Sequence, residues 1–152
     1  MELYHASGEI VRFPEIRKGL YTKDFSWGFY CTNNIEQAKK WALKHKEEPT
    51  INVYKYTENQ NLKILRFDEM NDEWLDFIVS CRNGEVHDYD IVEGPMADDT
   101  IWNFLQDFIS HEISRDIFWK LIKFRYPTHQ ISFHTLRALD CLEFLESRKV
   151  YE

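Results

Sequence analysis

Apolar positions along this chain recur sometimes every second residue and sometimes every third or fourth, and the changes of period divide it into short strands and helices. Leu3-Tyr4-His5 opens as a strand, and Gly28-Phe29-Tyr30-Cys31-Thr32 reads as a second, rich in aromatic and β-branched residues. Asn33 or Asn34 then caps a helix in which Ile35, Ala38, Trp41, Ala42 and His45 follow helical spacing, and Pro49 closes it. Ile51 to Tyr56 alternates cleanly. Leu62 to Phe67 is expected as its hairpin partner across the polar turn Glu58-Asn59-Gln60-Asn61. Asn71 caps a helix from about Asp72 to Cys81, with Trp74, Leu75, Phe77 and Ile78 facing inward.

Tyr89 to Val92 is a further strand, ended by Gly94-Pro95. Asp98, Asp99 or Thr100 starts a helix through Phe108, with the two aspartates as its cap and first-turn neighbour. Ser114 starts another, carrying Ile117, Phe118, Leu121, Ile122 and Phe124. After Tyr126-Pro127 the pattern gives a strand from Gln130 to Thr135, a last helix from Leu136 to Leu145, and a short edge strand at Lys149-Val150-Tyr151. Strands and helices are interspersed, but no glycine-rich turn follows a strand to open a helix. The pattern predicts an α+β fold and argues against a Rossmann or P-loop site.

Composition narrows this further. The 152 residues suffice for a single domain, 1–152, with a real core. A formal net charge of −7 disfavours a nucleic-acid binder held mainly by phosphate neutralisation. Cys31, Cys81 and Cys141 are odd in number, widely spaced and set in apolar segments, which suits reduced, buried thiols. No Cys-x-x-Cys or His-x-x-x-His pair is present, so no metal is expected. The N-terminus carries no basic-then-apolar leader and no long apolar run occurs, so a cytoplasmic protein with no membrane partner is expected.

Two blocks carry candidate chemistry. Leu3-Tyr4-His5-Ala6-Ser7 resembles the first block of the diphtheria-toxin-like ADP-ribosyltransferases, which include the poly(ADP-ribose) polymerases. Phe25-Ser26-Trp27-Gly28-Phe29-Tyr30-Cys31-Thr32 resembles their second block, and Trp41 stands where that family places a second aromatic eleven residues further on. Gln130, expected at the head of Gln130-Ile131-Ser132-Phe133-His134-Thr135, is the best match to the residue that in the family is a catalytic glutamate. The whole chain is also similar to small bacterial proteins that share these blocks and the stretch from Tyr89 to Asp99.

The resemblance implies two small antiparallel sheets split around an NAD cleft, with helices outside. NAD would be substrate and cofactor in one. Nicotinamide would lie between Tyr30 and Trp41, the riboses near His5 and Ser7, and Ala6, Phe25 and Thr32 would join the dinucleotide site. His5, Tyr30 and Gln130 would be the catalytic set. Flat aromatics suit a planar cationic ring, worth ~1–2 kcal/mol once desolvated, and cleavage of the glycosidic bond passes through an oxocarbenium-like centre that the site must tolerate. The partners implied are NAD, a macromolecular acceptor (protein or nucleic acid) and a small antidote protein, as for a toxin or defence effector.

Three departures shape the expected activity. Ala6 replaces the usual glycine, and Ala38 stands where the polymerases carry a serine. Gln130 is uncharged, so it offers neither a general base nor charge to meet the developing cation. Chain elongation is therefore not expected, which leaves single ADP-ribose transfer, slow NAD hydrolysis or a catalytically silent NAD-binding or protein-interaction module. A nucleic-acid target would call on a basic rim of Arg12, Arg17, Lys18 and Lys23. Asp24-Phe25 reads equally as a turn or as a loop over the dinucleotide. Even offsets place His134 on the same face as Gln130 and Ser132. A thiol hydrolase built on Cys31 and His134 lacks anything in the sequence to lower the thiol pKa.

Overall fold

A computed structural model describes residues 1–18, 23–97, 99–125 and 127–151, with the side chain of Asp99 set aside. Among them the chain forms strands and helices in the order β1 (Glu2–Ser7), β2 (Phe29–Cys31), α1 (Ile35–Ala42), β3 (Thr50–Tyr56), β4 (Ile64–Arg66), α2 (Asp72–Arg82), β5 (Ile91–Met96), α3 (Asp99–Ile109), α4 (Arg115–Ile122), β6 (Thr128–Phe133), α5 (Leu136–Leu139) and β7 (Leu142–Lys149). The fold is α+β. Asp98 and Tyr126, read from the sequence as a cap candidate and a chain break, lie outside the described residues.

The strands form two sheets. One has the order β1-β3-β7 and is antiparallel throughout; the other has the order β2-β6-β5-β4 and contains one parallel pair, β4 with β5. Among the described residues they meet at one isolated antiparallel bridge, where Tyr4 N–H donates to the Thr32 carbonyl at 2.8 Å and Thr32 N–H to the Tyr4 carbonyl at 2.9 Å.

Strict alternation sorts the side chains into layers. Leu3, Phe29, Cys31, Tyr54, Ile91, Ile131 and Phe133 share one buried cluster. Tyr30 and Val92, the neighbours of Cys31 and Ile91, fall instead into a second cluster with Trp74, Leu75 and Ile78 of α2, Ile101 and Leu105 of α3 and Phe118 of α4. Ala38 and Ala42 of α1 pack with Ile51 and Val53 of β3 in a third.

Local signals explain most of the element starts. Asn34 Oδ1 accepts from the Glu36 and Gln37 amides, Asn71 Oδ1 from Trp74, and Ser114 Oγ from Ile117, each satisfying donors that an α-helix leaves open at its N-terminus. Three elements differ from the sequence reading. Leu62 to Phe67 is not a hairpin partner of β3, because β4 crosses to the other sheet. There the Lys63 amide donates to Asp90 Oδ2 at 2.8 Å and the Asp90 amide to the Lys63 carbonyl at 2.8 Å.

β5 runs through Gly94-Pro95 to Met96 rather than stopping there, since beyond Glu93 only β6 pairs with it and a proline is tolerated on such an edge. A Cβ on Gly94 would stand 2.9 Å from Phe67 Cβ, so glycine is what lets the chain after β4 approach. The expected helix from Leu136 to Leu145 ends after one turn and becomes β7. Leu142 and Phe144 alternate inward, Phe144 meeting Tyr54 edge-on at 5.9 Å, whereas Leu136 is 78% exposed. β7 also absorbs Lys149 from the expected terminal strand, and forms one edge of its sheet.

Asp90 is the polar knot of this arrangement. It is fully buried and accepts from Thr135 Oγ1 at 2.7 Å, Arg137 Nε at 2.8 Å, Arg137 Nη2 at 3.0 Å and the Lys63 amide. It thus ties the start of β4, the start of β5 and the cap of α5 together. Asp90→Ala is expected to cost about 3 kcal/mol or more in urea unfolding, because it removes four hydrogen bonds to a charged group and leaves the Lys63 amide without its acceptor. A loss below about 1 kcal/mol would show that the knot does not hold the parallel pair.

Candidate functional site

The segment from Phe25 to Gly28 has no regular ladder, so its backbone carbonyls depend on side chains. The phenol of Tyr30 donates to the Ser26 carbonyl and accepts from the Phe25 amide at 3.1 Å. His87 Nε2–H donates to the Phe25 carbonyl and His134 Nδ1–H to the Trp27 carbonyl, both at 2.8 Å. His5 Nδ1–H donates to the Tyr30 carbonyl at 2.7 Å. Two imidazoles and one phenol thus meet the three successive carbonyls of Phe25, Ser26 and Trp27, and a third imidazole meets that of Tyr30 within β2. Ser26 adopts φ 76°, in the left-handed region, and these bonds hold it there. Gly28 must lack a Cβ, which would lie 2.7 Å from His134 Nδ1 and 2.8 Å from the Phe133 carbonyl.

Because a carbonyl only accepts, these bonds fix the tautomers: Nδ1–H for His5 and His134, Nε2–H for His87. The second nitrogen of His134 faces Ser132 Oγ at 2.7 Å, and that of His87 accepts from the Tyr89 amide at 3.1 Å. His5 stacks on Phe29 with centroids 3.9 Å apart, leaving Nε2 as a lone-pair acceptor. Burial pushes His5 and His134 down to about 4 and lowers His87. Near neutral pH all three are uncharged.

This braced segment borders two hollows. The larger, about 1220 Å³, is lined by His5, Ala6, Tyr30, Trp41 and Gln130 together with Lys23, Asp24, Arg82, Trp102 and the C-terminal part of α3. The smaller, about 280 Å³, is lined by His5, Ser7, Tyr30, Trp27, Lys23 and Arg17 among others. Tyr30, Thr32, Gln130 and Ser132 lie on one face, since Tyr30 pairs with Ser132 across β2 and β6. Gln130 is 3% exposed, and its Nε2 is a buried donor with no partner among the described residues; Thr128 Oγ1, two residues earlier on the same strand, is another. Buried polar atoms without partners are rare and mark places where a ligand or water completes the bonding.

Of the residues singled out from the sequence, His5, Ala6, Tyr30, Trp41 and Gln130 therefore come to one cavity and Ser7 to its neighbour. Two do not reach either hollow. Phe25 is wholly buried with its ring against Phe67 and Phe77, and Thr32 spends its hydroxyl on the His129 carbonyl and the Asn34 amide. Their side chains hold the second block in place and have no surface left for a ligand. Gln130 is the third residue of β6 rather than its head. His134 shares the face of Gln130 and is consumed by the Trp27 carbonyl. Cys31 is sealed in the core and burial drives its thiol pKa far up, so it is no nucleophile.

The sequence reading missed Arg82 and Trp102. Arg82 reaches back to the buried carboxylate of Asp24, donating from Nε at 3.1 Å and also from Nη2, while its guanidinium lies 4.1 Å from the Trp102 ring centroid. Asp24 also accepts from the Ala97 amide at 2.9 Å. Asp24 and Arg82 are remote in the chain and no local pattern links them. Asp24-Phe25 thus belongs to a turn pinned at the cleft wall.

With this geometry in place, comparison with known proteins gives one match. A family described as protein of unknown function (DUF3990) matches residues 1–144, so the chain belongs to that family. No curated protein and no solved structure matches the chain. Among the described residues no cluster of three or more candidate metal ligands is present, and no helix is long and apolar enough to cross a membrane.

The buried imidazoles predict an acid-sensitive fold. Each has a folded pKa below its unfolded value, so the stabilisation is complete above about pH 6.5 and fades as the pH falls, because the unfolded chain then binds more protons. His5 and His134 should each cost about 2 kcal/mol between pH 7 and pH 5. Urea unfolding at the two pH values measures this, and His134→Gln should show a smaller pH dependence than the parent. Equal dependence in both would overturn the assignment.

Proposed function

We propose that the protein binds NAD in the cleft and transfers one ADP-ribose to a macromolecular acceptor, releasing nicotinamide. The observation that carries this reading is the meeting of His5, Ala6, Tyr30, Trp41 and Gln130 around one cavity, although they come from four separate elements. The resemblance of two sequence blocks to ADP-ribosyltransferases supports it, as does the partition of two sheets with a cleft beside their join.

In this reading the nicotinamide ring lies by Tyr30 and Trp41. His5 Nε2 accepts from a ribose hydroxyl, a role its neutral tautomer leaves open, and the orphan amide of Gln130 donates to the ribose on the opposite side. The bond from C1′ to the nicotinamide nitrogen breaks, its electron pair leaving with the now neutral nicotinamide. The acceptor atom bonds to C1′ and releases its proton. Gln130 holds the sugar without countering its charge, so turnover is slow and chain growth does not follow.

The neutral Gln130 favours a second reading, an NAD-binding or protein-interaction module with no chemistry. A toxin or defence role and a short antidote partner follow from the resemblance alone. A reducing, cytoplasmic setting suits three free buried thiols.

Labelled NAD separates the two readings. Nicotinamide release in the presence of cell lysate is expected to fall about tenfold or more in Tyr30→Ala and Trp41→Ala, each of which removes a stacking face. Gln130→Glu is expected to raise release about tenfold or more by placing charge beside the sugar cation. No release from the parent, together with no gain in Gln130→Glu, would sink the enzyme reading; NAD binding by calorimetry would then decide for the silent module.

A further inference from the structure

The two hollows share three lining residues, His5, Lys23 and Tyr30, which therefore lie at their common border. Two of these have little left to offer a charged ligand. His5 is uncharged and commits Nδ1–H to the Tyr30 carbonyl, and the Tyr30 phenol is committed to Ser26 and Phe25. Lys23 differs. Its ammonium has no hydrogen-bond or ion-pair partner among the described residues and stands 5.1 Å from the Tyr30 ring centroid. The adjacent carboxylate of Asp24 is taken by Arg82 and the Ala97 amide. The remaining cations sit elsewhere: Lys40, Lys44 and Arg82 line the larger hollow, and Arg17 lines the smaller, where it pairs with Glu9 and Glu15.

A ligand that fills both hollows has Lys23 beside it in each. In a dinucleotide the two bases and riboses lie at the ends, and the bridging phosphates, with their two negative charges, lie in the middle. We propose that Lys23 is the phosphate-recognition residue of the cleft, binding the pyrophosphate of a ligand that spans both hollows, so that the protein selects dinucleotides and ADP-ribose over phosphate-free nicotinamide nucleosides. This rests on the NAD reading above.

The chemistry suits the residue: a lysine ammonium is a compact point charge with three donors, able to meet two phosphate groups at once without a fixed fork geometry. Lys23 is exposed by surface area, yet it has enough protein around it, and Arg82 near enough, for its pKa to be lowered. An arriving phosphate relieves both effects.

Calorimetric titration of NAD, ADP-ribose and nicotinamide riboside into the full chain tests this. Lys23→Ala is expected to weaken NAD and ADP-ribose by about 10- to 100-fold, the loss of a charge-assisted contact, while leaving the phosphate-free riboside within about twofold. Lys23→Arg should restore most of the affinity. Lys40→Ala, which alters only the larger hollow, should show no preference between phosphorylated and phosphate-free ligands. Unchanged NAD affinity in Lys23→Ala, or equal losses for all three ligands, overturns the assignment while leaving the NAD reading intact. Failure of the parent protein to bind any of the three at millimolar concentration overturns the NAD reading itself. Near-ultraviolet circular dichroism of each variant verifies that the fold is kept, and Lys23→Gln serves if the alanine variant does not fold.

Discussion

Everything in this molecule is arranged around the seam between its two sheets. A three-stranded and a four-stranded sheet touch through one pair of backbone hydrogen bonds, Tyr4 with Thr32, reinforced one residue along the first strand by the imidazole of His5 on the Tyr30 carbonyl. The larger hollow is lined from both sides of this seam, by His5 and Ala6 of β1 and by Tyr30 of β2. Alternation then does the rest. Leu3, Phe29, Cys31 and Ile131 turn into the shared core, so Tyr30 and Gln130, each one residue out of phase, must face the other way. A slip of one residue in the β2–β6 register would exchange the side chains facing the cleft with those of the shared core.

The segment before β2 shows how a site can be rigid without regular structure. Its carbonyls face inward where no strand can pair with them, and leaving them unmet would cost about 1–3 kcal/mol each. Two neutral imidazoles and a phenol satisfy them instead, and a third imidazole, His5, takes the Tyr30 carbonyl just beyond, in β2. That use explains why three histidines gather around the segment before β2 and the start of that strand, although only His5 of the three lines the cleft. His87 and His134 are bracing, their rings in edge-on contact at 4.3 Å, and of the three imidazoles His5 is the one whose second ring nitrogen has no hydrogen-bond partner among the described residues.

Residues close in sequence told their story from sequence alone. The caps Asn34, Asn71 and Ser114, the spacing of Tyr30 and Trp41, and the alternation of β3 are local features that a linear reading can recover. What escaped it is set by distant partners. β4 belongs to the second sheet because Asp90, far along the chain, captures Lys63, and no turn signal at Asn59 to Asn61 announces that. The C-terminal segment carries leucines at helical spacing, yet the bare flank of β3 supplied a stronger demand and drew it out as β7. Arg82 was invisible as a cleft residue because its position depends on the buried Asp24 and the face of Trp102. Phe25 and Thr32 sit in the right block and serve it from behind.

β7 closes one sheet but leaves its own outer flank unpaired. A bare strand edge invites a second chain to add to it, and the sequence there answers with Glu143, Glu146, Arg148 and Lys149, Arg148 pairing with Glu146 and Lys149 with Glu48. Charges at this density make stacking of another strand costly. The strand that completes the fold is therefore also its safeguard against polymerisation, and neutralising that row would leave its edge open to the addition of further strands.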